Sequence, residues 1–449
     1  MHPPLHFFLL HFWIDIFGAS ADSARYFSFA ASIFAAFGLF LLTKKIYSAK
    51  AGLYAVLLFF LSTYIHFYSI YARMYIFVAM FAVFSLYFFL FLLYDRLTLR
   101  QKIIYSLLFQ VSTVMLLYSN IIGSLVLLVE WLVLGFSLYY YHKSKTNPWL
   151  TFSNLILAGL LFAPWFLFFL SSRLSFVPGD AWYYQVHAPW YFPFDFIANM
   201  FVSSDNLLLK SLVFFLFFAI ILNNFFSFKR SSIPLFRFKS GWSKNIPALL
   251  LLIMPFFVLP FFSLLKIRFF IVSAIGLFML LGASLANLKN KALLILIFLI
   301  ISLIPSYKLL LTMPGEGWDK IARFIVENEK NGDIIITATA QHFLPLGFYY
   351  KGDLKKEMII DQEEKEDDEL LTVLKTCVAP TLSPDNISQL KNLTQGHNRI
   401  FLVVTNTNFG QAQKIAVEWF EKNGWQIDNS FYHDGFDRPA VIIYKKTPE

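Results

Sequence analysis

Residues 51–94 read AGLYAVLLFFLSTYIHFYSIYARMYIFVAMFAVFSLYFFLFLLY, and Arg73 is the only Asp, Glu, Lys or Arg among them. A membrane-spanning helix needs about 20 mainly apolar residues, so this stretch is long enough for two spans. The joint between the two apolar runs falls after Ile70, directly before Arg73. The stretch therefore predicts a helical hairpin in a membrane, with one cation at its turn.

Composition extends this prediction to most of the chain. Hydrophobic residues make up 58% and charged residues 14% of the 449 residues, whereas soluble proteins are roughly a quarter charged. Met1 to Leu311 holds 22 Lys and Arg with 7 Asp and Glu, a net charge of +15; Thr312 to Glu449 holds 15 and 21, a net charge of −6. The sequence thus predicts a basic membrane part followed by an acidic soluble part. The basic residues are scattered between apolar runs, which argues against a nucleic-acid partner.

The membrane part divides into about ten apolar runs of spanning length, separated by polar residues, Gly, Pro and charges. Loops rich in Lys and Arg, such as Lys44 to Lys50, alternate with loops that hold few. Because such residues accumulate in cytoplasmic loops, the rich loops are predicted inside, and both ends of the chain outside. The predicted runs are residues 24–43, 51–70, 74–93, 103–119, 121–141, 151–170, 208–228, 247–264, 269–287 and 291–311.

The two ends of the chain differ from these runs. Residues 1–23 are too short and too interrupted by His and Pro to span, so we expect a segment lying at the outer interface. From Trp318 to Glu329 the spacing is helical, and Asn331-Gly332 ends that helix before the strand-like run Asp333 to Thr337. Strand-like and helical runs alternate further on, near residues 400–404, 411–423 and 440–444.

The predicted fold class is therefore a mainly α polytopic membrane protein with a small C-terminal extracytoplasmic α/β domain. Its predicted domains are an outer interfacial segment (1–23), a transmembrane domain (24–311) and a soluble extracytoplasmic α/β domain (312–449).

Short motifs in the membrane part carry a resemblance. They are Met1-His2-Pro3-Pro4-Leu5 leading through Phe17-Gly18 to Asp22 and Arg25, then Tyr71-Ala72-Arg73-Met74-Tyr75, and finally Arg268-Phe269. Their order and layout resemble the GT-C membrane glycosyltransferases, in particular protein O-mannosyltransferases and bacterial aminoarabinose transferases.

The resemblance implies an integral membrane glycosyltransferase of the cytoplasmic membrane. It would transfer a sugar from a polyprenyl-phosphate-linked donor to a lipid, glycan or protein acceptor on the outer face, with inversion and without a nucleotide sugar. Membrane lipids would be its further partners. In that group a first helix and an acidic motif precede the His-Pro-Pro segment, and neither is in this sequence, so the activity of the chain is left as an open question.

The resemblance also assigns residues to the donor phosphate. Arg268 would bind it, with Lys266 as a second cation and with Arg73 and His2 at the same outer rim. A guanidinium is always charged and binds phosphate oxygens through a two-pronged fork, which suits this role. The alternative for the lysine and the arginines is that they hold helix ends at the lipid headgroups. For His2 the alternative is a satisfied loop histidine before the Pro-Pro turn. Supporting residues of the motifs are Asp22, Arg25, Tyr71 and Tyr75; for Asp22 the alternative is a local salt bridge or a helix cap.

Sugar transfer also needs a general base to take the proton of the acceptor. In the resembling group this base is an acid that follows the first helix, a position that the sequence does not contain. Asp15, on the amino-terminal interfacial segment, is the candidate base in its place, and a plain Asp on a polar face is the alternative.

No cofactor and no metal site are predicted, since the chain has a single Cys and no His/Cys ligand spacing. The acidic run Asp361 to Glu369 is interpreted as a solvated face, with a divalent-cation site as the alternative. The loop from Ser171 to Asn206 is rich in Trp and Tyr, which indicates interfacial anchoring or stacking on a sugar or lipid.

Two other readings of the whole chain stay open at this point. One is a non-catalytic or differently acting polytopic protein of envelope polysaccharide assembly, such as a polymerase, ligase or flippase. The other is an inactive truncated remnant. The first of these would also gather arginines and aromatic residues on the outer side, around a lipid phosphate.

Overall fold

The structure is a computed structural model of the whole chain. The chain divides into two compact units, Met1–Leu310 and Leu311–Glu449, close to the point where the net charge changes sign. The residues that the structure describes are 3–140, 148–174, 191–202, 207–228, 236–238, 242–262, 266–288, 295–296, 298–303, 307, 317–337, 340–358, 387–405, 410–432 and 439–447.

The first unit is built from helices, with a small hairpin of strands β1 (Phe226–Phe228) and β2 (Phe236–Phe238). Its helices are α1 (Leu5–Phe17), α2 (Ala21–Ile46), α3 (Ala49–Leu61), α4 (Thr63–Ile70), α5 (Tyr75–Tyr94), α6 (Leu99–Ser119), α7 (Gly123–Tyr140), α8 (Pro148–Leu174), α9 (Phe192–Asn199), α10 (Leu207–Phe225), α11 (Ile246–Val258) and α12 (Ile271–Asn287).

Helices occupy the first nine predicted spans, and most of the last, residues 291–311, lies outside the described part of the chain. Among the described residues, five helices are long and apolar enough to cross a membrane, and α3 with α4 forms a sixth if the bent pair is one span. Four further helices of the described part, α1, α7, α10 and α11, are apolar but shorter. A mainly α membrane protein is confirmed, whereas the number of ten spans stays a prediction.

The second predicted span is broken, which its hydropathy did not indicate. The axes of α3 and α4 meet at 68°, and Ser62 lies at the break. The hydroxyls of Ser62 and Thr63 donate to the Met200 carbonyl, at 2.8 and 3.2 Å. These side chains tie the break to the end of α9, so a helix that is continuous in hydropathy bends where polar partners from another element are available.

Close contact between helices holds α12 in the centre of the unit, where its residues are almost all buried. A Cβ atom added at Gly282 would lie 2.6 Å from the Ala51 carbonyl oxygen of α3, and one added at Gly276 would collide with the Ala248 carbonyl oxygen of α11. Small residues let helix backbones approach in a membrane, where lipid tails offer no hydrophobic gain between helices.

The second unit is a five-stranded sheet between helices, which confirms the predicted small α/β domain. Strands β4, β3 and β5 are parallel, and β7 and β6 continue the sheet antiparallel in the order β4-β3-β5-β7-β6. Its elements are α13 (Trp318–Asn328), β3 (Ile334–Thr337), α14 (Ala340–Tyr349), β4 (Lys355–Met358), α15 (Ser388–Thr394), β5 (Arg399–Thr405), α16 (Gly410–Lys422), β6 (Trp425–Tyr432) and β7 (Pro439–Lys446).

Alternation along β5 explains the two helical layers. Ile400 and Leu402 are buried on one face with Phe420 of α16, while Phe401 packs on the other face with Ile321 of α13. Successive side chains of a strand point to opposite faces, so a strand that is apolar at every position must be covered on both sides.

Candidate functional site

Arg73 lies on the short turn that joins α4 to α5. The Arg73 amide donates to the Tyr71 carbonyl at 2.6 Å, which folds the turn tightly. The guanidinium lies over the Tyr71 ring, 5.7 Å from its centre, and the side chain of Arg73 is exposed. This predicted rim residue is therefore open to a ligand from the surface of the unit.

Arg268 lies in a comparable position, on the 3-10 turn Ile267–Phe270 that leads into α12. It is half-buried over the ring of Phe269, and its Nε is buried without a hydrogen-bond partner among the described residues. Lys266 precedes the turn, and burial, with a further contribution from the charge of Arg268, lowers the pKa of Lys266. Two cations thus come close together at the start of α12.

A row of tyrosines connects the two arginine turns. The Tyr64 hydroxyl donates to the Ile267 carbonyl at 3.0 Å, directly before Arg268. The Tyr68 ring lies 4.8 Å from that of Tyr64 and 5.2 Å from that of Tyr75, and 6.4 Å from that of Tyr71. The row therefore runs from the Arg268 turn to the Arg73 turn, and it brings predicted residues together that are far apart in sequence.

His6 supports the Arg73 turn from α1. Its ring is 1% exposed and lies 5.3 Å from the ring of Phe77. The ring interacts with the Ala72 carbonyl, and its Nδ1 is buried without a hydrogen-bond partner among the described residues. Burial, and secondarily the charge of Arg73, lower the pKa of His6 to about 4, although the bond to Ala72 opposes the shift. The ring is neutral at physiological pH.

The arginines of these two turns differ from other cations of the unit. Lys45, Lys210 and Arg25 each lie within 2.8 Å of a carboxylate. In the part of the chain that the structure describes, no carboxylate lies within salt-bridge distance of Arg73 or Arg268. A positive site without a protein counter-ion favours an anionic ligand.

Asp15, the candidate base, lies on the exposed side of α1, and its nearest ionic partner is His11 at 3.6 Å. It follows His6 by nine residues, which is a rotation of about 180° around a helix. The structure therefore places Asp15 on the side of α1 away from His6 and the Arg73 turn.

Asp22 and Arg25 form a salt bridge of 2.8 Å across one turn of α2, and the Asp22 side chain is mostly exposed. The cap of this helix is Ser20, whose hydroxyl accepts from the Ser23 amide. The geometry is that of the local alternative, a surface ion pair at the beginning of a helix.

Several predicted features lie outside the described residues. They are His2 of the His-Pro-Pro motif, most of the aromatic loop and the acidic run of the soluble unit, namely residues 2, 175–190, 203–206 and 361–369. Asp195 of α9, a carboxylate within the predicted aromatic loop, lies 2.7 Å from Lys210 and accepts from the Asn199 side-chain amide at 2.8 Å.

The sequence did not indicate His6, Tyr64 or Tyr68 as residues of the site. His6 carries one weak signal: it is polar, and it lies seven residues before Trp13 on the side of α1 that packs against α2. For the two tyrosines no local signal exists, because aromatic residues are frequent throughout this chain.

Part of the chain matches a known protein family in sequence. Residues 1–168 match the family model described as dolichyl-phosphate-mannose-protein mannosyltransferase. A search of curated proteins gave no match.

Solved structures share the fold at low sequence identity. ArnT from Cupriavidus metallidurans in the apo state is 14% identical with a TM-score of 0.61, and the match covers 98% of this chain and 87% of ArnT. The structure of the same protein bound to undecaprenyl phosphate is 12% identical with a TM-score of 0.58, and the match again covers 98% of this chain and 87% of ArnT. Arabinofuranosyltransferase AftD from Mycobacteria gives 13% and 0.52, and the match covers 95% of this chain and 34% of AftD.

Both comparisons lead to the group that the short motifs of the sequence resemble. The chain therefore shares the fold of ArnT and AftD, and its residues 1–168 match the dolichyl-phosphate-mannose-protein mannosyltransferase family model in sequence.

Proposed function

We propose that the protein transfers a sugar from a polyprenyl-phosphate-linked donor to an acceptor on the outer face of the cytoplasmic membrane. The observation that carries this proposal is the pair of arginine turns: Arg73 and Arg268 are joined by a row of tyrosines and have no carboxylate partner among the described residues. Arginines that lack a protein counter-ion at helix ends suit a phosphate that enters from the lipid headgroup region.

In this proposal Arg268 and Lys266 hold the phosphate that leaves. An acceptor oxygen or nitrogen forms a bond to the anomeric carbon, and the bond from that carbon to the phosphate oxygen breaks. Polyprenyl phosphate departs with the electron pair and takes up, directly or through solvent, the proton that the acceptor loses. Charge grows on the phosphate as this bond breaks, so preorganised cations stabilise the transition state more than the ground state. Arg73 and the tyrosine hydroxyls of the row other than that of Tyr64 would contact the sugar or the phosphate from the other side.

The family match and the shared fold support the same donor class. The ArnT structure from Cupriavidus metallidurans contains undecaprenyl phosphate, which is a polyprenyl phosphate. For this chain we propose the same class of donor lipid, and the experiments below test which sugar it carries and whether that sugar is transferred.

A second candidate is favoured by the surroundings of the carboxylates. Asp15 lies on the far side of α1, and both Asp22 and Asp195 are engaged in salt bridges. A protein that binds polyprenyl phosphate during envelope polysaccharide assembly, without transferring a sugar itself, would need the arginine turns and no base. Release of polyprenyl phosphate from a sugar-linked donor separates the two candidates, because only a transferase breaks the bond between the sugar and the phosphate.

The experiment measures binding of undecaprenyl phosphate to the full chain in nanodiscs by native mass spectrometry. We expect Arg268→Ala to weaken binding at least about tenfold, because a charge-assisted, two-pronged contact is lost. Arg100→Ala is the matched control, since Arg100 is an exposed arginine near the beginning of α6. Equal binding by wild type and Arg268→Ala would refute the phosphate role.

The same preparations are then given radiolabelled undecaprenyl-phosphate mannose, glucose or arabinose together with membrane extract as the source of acceptor. Release of undecaprenyl phosphate that depends on Arg268 supports the transferase. Binding without release for all three donors supports the second candidate.

A further inference from the structure

Both arginine turns share one structural detail. In each, the carbonyl immediately before the arginine interacts with a buried ring of another helix. The Tyr64 hydroxyl donates to the Ile267 carbonyl at 3.0 Å, and the buried His6 ring interacts with the Ala72 carbonyl. A peptide carbonyl lies in the same rigid plane as the next residue's N–H, so a bond to it fixes the plane from which the arginine extends.

Tyr64 is itself held in place on several sides. It is 7% exposed, and its ring lies between those of Tyr68 at 4.8 Å and Phe196 at 5.5 Å. The break at Ser62 sets the direction of α4, because the Ser62 hydroxyl is bonded to the Met200 carbonyl at 2.8 Å. The Tyr64 hydroxyl therefore reaches the Arg268 turn from a fixed position.

The turn that receives this bond has little support of its own. Residues Ile267–Phe270 form a single 3-10 turn, with a backbone bond from the Phe269 amide to the Lys266 carbonyl at 2.9 Å. The carbonyl of Ile267 is the acceptor that Tyr64 uses. A short turn is weakly stabilised by its own backbone bonds, so an outside donor has a large share in its geometry.

His6 is placed in a similar way on α1. The Trp13 indole donates to the Ser23 carbonyl at 2.9 Å, which fastens α1 to the beginning of α2. The His6 ring then packs against the neighbouring rings of Phe27 at 5.8 Å and Phe77 at 5.3 Å, and it interacts with the Ala72 carbonyl. The amino-terminal helix thus reaches the Arg73 turn through one buried side chain.

We propose that Tyr64 and His6 are positioning residues, which hold the turns of Arg268 and Arg73 in the orientation that the phosphate of the ligand requires. This inference rests on the proposed function for the nature of the ligand. Neither side chain needs to touch the ligand, because each acts through the carbonyl that precedes an arginine.

The first test is independent of any ligand. Hydrogen–deuterium exchange of the full chain in nanodiscs is compared over the segment 266–271 for wild type, Tyr64→Phe and Tyr118→Phe. Tyr118 is a matched control, since its hydroxyl also donates to a helix carbonyl, that of Leu161, at 3.2 Å. We expect exchange in the segment to become at least about threefold faster in Tyr64→Phe alone. Unchanged exchange in Tyr64→Phe overturns the inference.

The second test asks whether Tyr64 acts through Arg268. Affinity for undecaprenyl phosphate is measured for Tyr64→Phe, Arg268→Ala and the double variant. We expect Tyr64→Phe to weaken binding about three- to tenfold, which is what one neutral hydrogen bond is worth. In the Arg268→Ala background the same change should have no further effect. An equal loss in both backgrounds overturns the inference, because a general structural defect would act on either.

The same cycle applies to His6 and Arg73. His6→Phe keeps an aromatic ring and removes the donor, whereas His6→Gln keeps an amide that can donate to the Ala72 carbonyl. We expect His6→Phe to lower the affinity for undecaprenyl phosphate in the wild-type background but not in the Arg73→Ala background. His6→Gln should keep most of the wild-type affinity. A failure of the proposed function has a different signature: Arg268→Ala binds undecaprenyl phosphate normally while exchange at 266–271 still responds to Tyr64→Phe.

Discussion

The Lys45 ammonium lies 2.8 Å from the Asp95 carboxylate, where the carboxy-terminal ends of α2 and α5 meet. The amino-terminal ends of the same two helices lie beside His6, which packs against Phe27 and Phe77. At one end of the helices Lys45 is therefore paired with a carboxylate, whereas the arginine of the turn at the other end has no such partner among the described residues. This difference is what one expects if only one end receives an anionic ligand.

The orientation of these ends in the membrane can be measured directly. Lys and Arg accumulate in cytoplasmic loops, which predicts that the end with Lys45 is inside. In a Cys377→Ser background, we expect a membrane-impermeant maleimide to label Ala19→Cys and Lys422→Cys in intact spheroplasts. Lys50→Cys should be labelled only after permeabilisation. Labelling of Lys50→Cys in intact spheroplasts would reverse the orientation and place the proposed site on the cytoplasmic face.

A buried polar contact inside the helix bundle predicts a specific loss of stability. Glu130 of α7 is fully buried, and the Ser85 hydroxyl of α5 donates to it at 2.6 Å and lies 2.8 Å from the Thr113 hydroxyl of α6. Ser85→Ala leaves Glu130 without this donor in an apolar environment, which costs roughly 1–3 kcal/mol. We expect a lower midpoint of thermal unfolding in detergent.

The matched control for this change is Ser112→Ala. Ser112 is also buried in α6, but its hydroxyl donates to the Leu108 carbonyl of its own helix at 2.7 Å. That carbonyl keeps its place in the helical ladder without the serine, so the unfolding midpoint should hardly change. Equal effects of the two substitutions would show that Glu130 finds another partner.

The sequence predicts the arginine turns well, because a charge between two long apolar runs is a local signal. Arg73 and Arg268 could be assigned to helix ends without any knowledge of packing, and the structure places both there. The strands of the second unit could be predicted equally well, since Ile334 and Ile400 begin short runs rich in β-branched residues.

The supports of the arginine turns could not be predicted in the same way. Ser62 breaks a run of continuous hydropathy by bonding to the Met200 carbonyl. Because Met200 is 138 residues away in sequence, the local sequence does not indicate this break. His6 and Tyr64 acquire their roles from backbone carbonyls of other elements, and a carbonyl leaves no trace in the sequence. The sequence also does not show which side of α1 packs against the other helices, so it could not predict on which side Asp15 lies.

The second unit is expected to lose stability in mild acid because of His342. Burial lowers the pKa of this histidine to about 4, opposed by its hydrogen bond to the Val403 carbonyl. Between about pH 6.5, the usual histidine pKa, and about pH 4, the unfolded domain binds a proton that the folded domain does not, so stability falls as the pH falls through this window. The full loss is on the order of 3 kcal/mol.

Hydrogen–deuterium exchange of β3 and β5 in the full chain, corrected for the intrinsic pH dependence, measures this loss. His342→Gln keeps an amide donor for the Val403 carbonyl and does not titrate, so its stability should vary less between about pH 7 and about pH 4.5. His397→Gln replaces a half-buried histidine of the same unit and should keep the wild-type profile. If His342→Gln follows the wild-type profile as well, another group governs the acid response.

Close packing around α12 leads to a prediction about two glycines. A Cβ atom at Gly282 would lie 2.6 Å from the Ala51 carbonyl oxygen and 2.8 Å from the Ala55 nitrogen, both of which are backbone atoms that cannot rotate away. Gly282→Ala must therefore push α12 from α3, at a cost of about 1–3 kcal/mol. At Gly135 of α7 nothing lies within 4 Å of an added Cβ, so Gly135→Ala should stabilise its helix by about 0.5–1 kcal/mol. Opposite shifts of the thermal unfolding midpoint are expected, and a common direction would contradict the contact between α12 and α3.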